Sequence, residues 1–471
     1  MVKDMTQGAP GKILWSFSLP LLFSVIFQQL YSIVDSVVAG KFVGVGALAA
    51  VGASYPITMI FIAIATGANI GSSVIISQYF GARKYEDMKT AVYTSILSVV
   101  ALSLILTAAG TVYCDPLMRM LDTPADVFGD GALYLRIYIW GLLFLFLYNI
   151  CTGVFTALGD SRTPLYFLIG SSVSNIVFDL IFVISFRMGV AGVAWATFLC
   201  QGVASLLAIL TLIRRLRKIK TSQAFPVYSF RMLGRISIVA VPSILQQSFI
   251  SIGNLFVQRL VNGYGSTVMA SYSAVVKLNT FAITSFTTMA NGLSGFTAQN
   301  MGAGKSERVQ AGFRAGVRMI LLICVPFFIA YFVFSPAMIQ VFLSSQEDVS
   351  AVIQEGTRFL RIVSPFYFVI SLKLMADGVL RGAGAMAPFM VATFSDLILR
   401  VVLSYVMALG LSMGSTGIWL SWPIGWVIGT VLSLGFYLSG IWKRKMLIQE
   451  REDTPSEDSF VSAEPEESVF R

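Results

Sequence analysis

The feature that most constrains this chain is a succession of long apolar segments separated by short polar breaks. Most of these segments exceed the roughly 20 residues that an α-helix needs to cross a bilayer. Charged residues make up only 12% of the chain, whereas soluble proteins carry about 25%. The sequence therefore predicts an all-α integral membrane protein. Its twelve predicted spans are residues 13–40, 47–80, 90–113, 132–158, 165–186, 189–213, 237–262, 267–300, 315–336, 357–383, 388–412 and 416–441.

Basic residues are concentrated in alternate connections between these segments. Arg83 and Lys84 follow the second span, a cluster at 214–220 follows the sixth, and Lys305 and Arg308 follow the eighth. Loops that face the cytoplasm carry an excess of Lys and Arg, so the pattern predicts a multi-pass protein of the cell membrane with both termini in the cytoplasm. The same pattern accounts for the net charge of +9, and no nucleic-acid partner is expected.

The two halves of the chain share sequence at a long and nearly constant offset. The segment SQYFGARKYEDMKTA from Ser77 aligns with AQNMGAGKSERVQAG from Ala298, at an offset of 221. GVFTALG matches GVLRGAG, and MGVAGVAWAT matches MGSTGIWLSW, both at an offset of 225, and Pro20 matches Pro242 at 222. Such self-similarity indicates a duplicated architecture. Because six spans is an even number, both halves enter the membrane from the same side. The sequence predicts two six-helix bundles related by a parallel internal repeat.

This repeat sets the predicted organisation of the chain. We expect an amino-terminal bundle at 1–213, a basic cytoplasmic connection at 214–236, a carboxy-terminal bundle at 237–441, and a disordered acidic tail at 442–471. Parallel repeats are typical of secondary transporters, whose ligand path lies between the halves. Since one chain already supplies both halves, a monomer is expected.

A membrane-embedded prenyl- or acyltransferase would need paired Asp motifs or a His at the membrane surface. The chain has no His and no such Asp motif, so an enzyme is not predicted.

Two of the four acidic residues inside predicted spans have a base on the same helix face. An ionisable group at this depth costs roughly 2.5–3.5 kcal/mol and needs a partner or a function. Asp377 follows Lys373 by four residues, and Asp396 precedes Arg400 by four, a spacing that permits an ion pair along one helix. Asp377 and Asp396 are therefore interpreted as secondary or structural acids.

The other two acids, Asp35 and Asp179, have no base within four residues. At about 1.5 Å per helical residue, both lie roughly 8–13 Å below the outer surface, at the depth of Thr197. Asn175 precedes Asp179 by four residues and shares its helix face. Two carboxylates, an amide oxygen and a hydroxyl are hard ligands that suit Na⁺, and the same carboxylates could instead carry a proton. These four residues form the predicted cation or proton site, and the coupling ion is H⁺ or Na⁺.

With these residues in view, the chain resembles the multidrug and toxic compound extrusion (MATE) family over residues 10–440. The resemblance rests on DSVVAG from Asp35, on GARK after the second span, on ALGDSRTP from Ala157, and on the spacing of Asn175, Asp179 and Thr197, which looks like the amino-terminal cation site of prokaryotic members. It implies twelve helices in two bundles, alternating access and no cofactor. It also implies export of organic, mostly cationic and amphipathic compounds in exchange for H⁺ or Na⁺.

One branch of that family has a second cation site with a Glu on the seventh helix. Here the seventh span offers Gln246, Gln247 and Asn254 but no acid, so we expect the ion in the amino-terminal half. The substrate cavity is expected between the halves, lined by Gln28, Tyr31, Gln247 and Asn254.

A lipid-linked oligosaccharide or polyprenyl-phosphate flippase with the same broad fold is the alternative interpretation. Such a protein would line its cavity with several Arg or Lys residues that hold pyrophosphate. The mid-span bases Lys277, Lys373 and Arg400 are few, and two of them have acids available on their own helix face. The sequence therefore favours the exporter.

Overall fold

The computed structural model describes residues 3–38, 45–121, 123–221, 223–342 and 350–444, without the side chains of residues 31–38, 45–49, 126 and 444. In these ranges the chain forms fifteen α-helices and no β-strand. The helices are α1 (Pro10–Val38), α2 (Val45–Gly81), α3 (Tyr85–Met120), α4 (Ala125–Trp140), α5 (Leu142–Ala157), α6 (Arg162–Leu180), α7 (Gly189–Lys218), α8 (Phe230–Asn262), α9 (Ser266–Gly302), α10 (Ser306–Phe332), α11 (Ser335–Gln340), α12 (Ser350–Val363), α13 (Tyr367–Gly382), α14 (Met386–Tyr405) and α15 (Ser415–Leu438).

These helices form the twelve membrane-crossing segments that the sequence predicts. Among the described residues, ten segments are long and apolar enough to span a bilayer by themselves, and the pair α4 and α5, bent by 48°, forms another. Helices α12 and α13 together form one of the ten. Helix α9, 37 residues long, matches the remaining predicted span, 267–300, but is less apolar than these segments. It contacts α1, α2, α10, α12 and α13, and because its neighbours are protein helices it can carry buried polar side chains such as Gln299 and Asn300.

The backbone repeats with the same offset as the sequence. Helix α6 continues into a short π-helix at Ile181–Ser185, and α14 does so at Val406–Gly410, at an offset of 225. Each π-helix is followed by a residue with positive φ, Arg187 at 53° and Ser412 at 54°. Two irregular features at one offset show that the two bundles share their local geometry, which confirms the parallel repeat.

The two bundles meet where α2 packs against α8. A Cβ added at Gly71 would overlap the backbone of Ala240, and one added at Gly67 would overlap the backbone of Ile244. Glycines four residues apart allow two helices to approach backbone to backbone. This close contact fixes how the two halves are placed and determines which side chains can line the space between them.

The predicted connection between the bundles is shorter in the structure. Helix α7 continues to Lys218 and α8 begins at Phe230, so helical residues occupy both ends of the stretch 214–236. The bundle limits at 213 and 237 stay predictions. The predicted tail, from residue 445 onward, lies outside the described residues.

Candidate functional site

A cluster of polar side chains lies where α6 packs against α7 in the first half. Asn175 and Asp179, one turn apart on α6, are 3% and 0% exposed. The Asn175 amide donates to the Thr197 hydroxyl of α7 at 3.4 Å. Cys200, one turn beyond Thr197, lies within interaction distance of both α6 residues. The structure thus brings together three of the four residues predicted for the cation site.

The fourth predicted residue, Asp35, lies in α1, and its side chain and that of Tyr31 are outside the described residues. Helix α1 packs along α6, the helix that carries Asp179. No group of three His, Cys, Asp or Glu side chains gathers within the described part of the chain. Asn175, Asp179 and Thr197 offer amide, carboxylate and hydroxyl oxygens, which are the ligands that hard cations prefer.

The second half contains a different cluster, centred on Lys373 of α13. Its ammonium donates to Asp377 Oδ2 at 2.8 Å, as the four-residue spacing predicts, and lies 3.6 Å from Asp396 Oδ2 on α14. Ser433 of α15 donates to Asp377 Oδ1 at 2.6 Å. None of these three charged residues is more than 7% exposed. One lysine therefore contacts both acids of this half, and the cluster links three helices.

Arg400 does not make the ion pair with Asp396 that the four-residue spacing permits. It donates to Asn254 Oδ1 of α8 at 3.2 Å, and its guanidinium lies 5.0 Å from the ring centroid of Trp422. No ion pair joins Asp396 to Arg400, although both are described. The reason is that Lys373, on a neighbouring helix, approaches Asp396, which leaves Arg400 to α8 and α15.

A cavity of about 300 Å³ lies between the two halves. Its wall is formed by α1, α2, α5 and α6 of the first half and by α9 and α13 of the second. Gln28 is among its lining residues, and Gln247 and Asn254 are not. Helix α8, which carries the latter two, packs against α2 and α14, and Asn254 accepts from Arg400. The substrate-contacting role of these residues stays a prediction. The polar residues of the wall are Ser24, Gln28, Asn69, Ser73, Tyr148, Thr152, Thr156, Thr288, Asn291, Ser294 and Arg381.

Arg381 is the charged residue among several wall residues that were not predicted from the sequence. It lies on α13, is 5% exposed, and donates to the amide oxygen of Asn291 on α9. Its guanidinium also lies 5.7 Å from the ring centroid of Phe389. The sequence feature that could have identified it is the presence of an arginine inside the predicted span 357–383. Among the described residues that line the cavity, Arg381 alone carries a formal charge.

The two halves are joined below this cavity by a matched pair of hydrogen bonds. Gln78 of α2 donates to the carbonyl of Gly382 at 3.0 Å, and Gln299 of α9 donates to the carbonyl of Ala157 at 2.8 Å. The offset is 221 between the two glutamines and 225 between the two carbonyls, so the internal repeat relates the contacts. These hydrogen bonds lie near the ends of α2, α5 and α9, and the basic residues Lys84, Arg162 and Lys305 follow these helix ends. We call this end of the molecule the basic end.

The same contact excludes any side chain at two glycines. A Cβ added at Gly81 would overlap the carbonyl of Gln299, and one added at Gly302 would overlap the carbonyl of Gln78. Helices α2 and α9 therefore meet backbone to backbone at the basic end. This pair of contacts, related by the repeat, closes the space between the halves on that side.

The amino-terminal segment 3–8 covers the contact between the halves. The Met5 amide donates to Gln299 Oε1 at 2.9 Å, and the Lys3 amide donates to the carbonyl of Leu158 at 3.0 Å. Lys305 donates to the carbonyl of Thr6 at 3.1 Å. The segment thus binds to both halves at once.

Comparison with known proteins assigns this architecture. The MatE family model matches residues 20–181 and 242–406, one stretch in each half. The chain belongs to the MatE family of multidrug and toxic compound extrusion transporters. Over 95% of its length it is 30% identical to the probable multidrug resistance protein YpnP of Bacillus subtilis, covering 99% of that protein. It is 27% identical to the probable multidrug resistance protein YoeA of the same organism, over 92% of this chain and 94% of the relative.

A solved structure has the same fold. A MOP-superfamily transporter from Pyrococcus furiosus superposes with a TM-score of 0.86 at 22% identity, over 93% of this chain and 97% of that one. MatE membership makes this chain a multi-pass membrane transporter of small molecules, in a family of multidrug efflux proteins, and not an enzyme. MATE transporters need no cofactor.

Proposed function

We propose that this chain exports organic compounds across the cell membrane, among them the cationic amphipathic compounds that the family resemblance implies. It does so by alternating access in exchange for H⁺ or Na⁺, as a monomer with its basic end and both termini in the cytoplasm. The observation that carries this proposal is the cavity between two halves that are joined at the basic end by contacts related through the repeat. Separation of these contacts would open the cavity on the basic side.

The proposed ion site is the cluster of Asn175, Asp179 and Thr197 together with Asp35. Helix α1 supplies the physical connection between this site and the cavity, because it carries Asp35, packs along α6, and lines the cavity with Gln28. Pro20, inside α1, lacks a backbone N–H and allows the helix to bend. Binding of an ion at one end of α1 can therefore alter the cavity wall.

Coupling requires only that ion and substrate favour different conformations. In the proposed cycle, an ion that enters from outside binds Asp35 and Asp179 and lowers the repulsion between the two carboxylates. The rearrangement of α1 then favours release of substrate outward. The halves next separate at the basic end, where the ion leaves and a new substrate enters.

The test is transport of the organic cation rhodamine 6G in proteoliposomes under separately imposed H⁺ and Na⁺ gradients. We expect the wild type to respond to one gradient and the variants Asp35→Asn and Asp179→Asn to fall to background. Asp396→Asn is the matched control, since it removes a buried carboxylate from the other half, and it should keep the response. Gradient-driven transport that survives in both first-half variants, or a wild type that responds to neither gradient, would overturn the proposal.

A further inference from the structure

The wall of the cavity between the halves contains donors that the protein does not use. Arg381 is 5% exposed, and its guanidinium has five N–H donors. Asn291 accepts from one terminal nitrogen, whereas Nε has no hydrogen-bond partner. The hydroxyl of Ser294, on α9 in the same wall, is also buried without a partner. Buried polar groups in folded proteins are nearly always hydrogen-bonded, so two such donors on residues that line one cavity indicate an acceptor that the chain itself does not supply.

The acid nearest to Arg381 in sequence is already engaged. Asp377 precedes Arg381 by one turn of α13, but its two oxygens accept from Lys373 and Ser433. No Asp or Glu lies among the described residues that line the cavity. Asp377 therefore acts on Arg381 through its charge alone, and an anion that hydrogen-bonds to the guanidinium would pair with it more strongly.

From these observations we infer that the cavity binds amphipathic organic compounds that carry a carboxylate, and that Arg381 holds this group. The two planar groups can pair through parallel hydrogen bonds, and Ser294 can donate to the same carboxylate. Phe17, Leu21 and Leu168 in the same wall provide apolar surface for the body of the compound. The inference rests on the proposed function and specifies its substrate class. It adds carboxylates, including zwitterions, to the cations expected from the sequence.

The volume of the cavity favours a small compound over a membrane lipid. About 300 Å³ lies at the lower end of the range for small-molecule sites. A lipid with two acyl chains would place only its headgroup there. Anionic lipid is therefore the competing source of the same chemistry, and the experiment must separate the two.

The experiment compares three compounds with one ring system: 2-naphthoate, 2-naphthamide and 2-naphthylmethylammonium. Their binding to the purified full-length chain is measured by isothermal titration calorimetry in neutral detergent, with detergent blanks. The amide matches the carboxylate in shape without its charge. We expect naphthoate to bind about tenfold tighter than the amide, because a charge-assisted hydrogen bond is stronger than a neutral one, and the ammonium to bind weakest. Equal binding of acid and amide to the wild type overturns the inference, and this comparison needs no variant.

Variants then assign the preference to one residue. In Arg381→Gln the acid and the amide should bind equally, and Arg381→Lys should keep part of the preference. Arg136→Gln is the matched control, since Arg136 pairs at 3.0 Å with Asp115 at a site where both side chains are at least 40% exposed, and it should bind like the wild type. An acid preference that persists in Arg381→Gln overturns the inference.

A last titration includes dioleoylphosphatidylglycerol. The naphthoate affinity should not change with this lipid, whereas a weaker affinity would assign Arg381 to lipid headgroups and overturn the inference. Failure here differs from failure of the proposed function, because the latter appears as loss of gradient-driven transport and leaves the acid-to-amide ratio untouched.

Discussion

The same three positions of the repeat carry different chemistry in the two halves. On α6 and α7 the first half places Asn175, Asp179 and Thr197. At an offset of 225, the corresponding positions of the second half hold Arg400, Ser404 and Trp422. The acid Asp179 thus corresponds to Ser404, and Asn175 corresponds to Arg400, which lies over the indole ring of Trp422.

The side chains that line the cavity also differ between the halves. Asn69 and Asn291 occupy corresponding positions, at an offset of 222, and both line the cavity. Thr156 of the first half, however, corresponds to Arg381 of the second. Duplication has kept the helices, the π-helical turns and the contacts at the basic end, whereas the side chains of the two halves have diverged. We infer that the first half is suited to a cation and the second half contributes the positive charge of the cavity.

The largest expected effect is a loss of stability when Lys373, in the second half, is replaced. Replacement of Lys373 by Met leaves Asp377 and Asp396 buried without their cation, so we expect the free energy of unfolding to fall by about 3–5 kcal/mol. Chemical denaturation in mixed micelles measures it. Lys277→Met is the control, because Lys277 is exposed, and it should change stability by less than about 0.5 kcal/mol. Equal losses in the two variants would contradict a structural role for the second-half cluster.

A smaller effect, equal in the two halves, is expected at the basic end. Gly81→Ala and Gly302→Ala each insert a Cβ into a backbone carbonyl of the opposite half, and overpacking of this kind costs about 1–3 kcal/mol. Spin labels in the basic-end loops of the two halves should show longer distances in both variants. Gly52→Ala, on α2 with nothing within 4 Å of the added atom, is the control. Distances that change in only one variant would show that the repeat does not relate these contacts functionally.

The smallest expected effect is a difference between Gln78 and Gln299 in how far their replacement opens the basic end. Gln299 makes two hydrogen bonds, to Ala157 and to Met5, whereas Gln78 makes one, to Gly382. One hydrogen bond contributes about 1 kcal/mol, so Gln299→Ala should raise the ratio of open to closed basic ends about fivefold more than Gln78→Ala. The same spin-label distances measure this ratio. Deletion of residues 1–8 should abolish the difference, and a difference that survives the deletion would exclude the Met5 contact as its cause.

The sequence by itself determined the class and plan of this protein. Apolar length predicted the spans, because a bilayer requires a fixed number of apolar residues whatever the neighbours are. The constant offset predicted the duplicated bundles, and it reappears in the π-helices at Ile181–Ser185 and Val406–Gly410. The spacing of Lys373 and Asp377 predicted their ion pair, since residues four apart share a helix face.

Only the tertiary structure decided which helices face each other. The spacing of Asp396 and Arg400 predicts a pair equally well, yet Lys373 from α13 approaches Asp396 and Arg400 contacts α8 and α15. Arg381 becomes part of a cavity wall because α13 packs against α9. Periodicity along one helix determines which side chains share a face, but the partner of that face depends on packing between segments that are far apart in the sequence. Contacts such as that of Gln78 with Gly382 therefore exist only in the assembled fold.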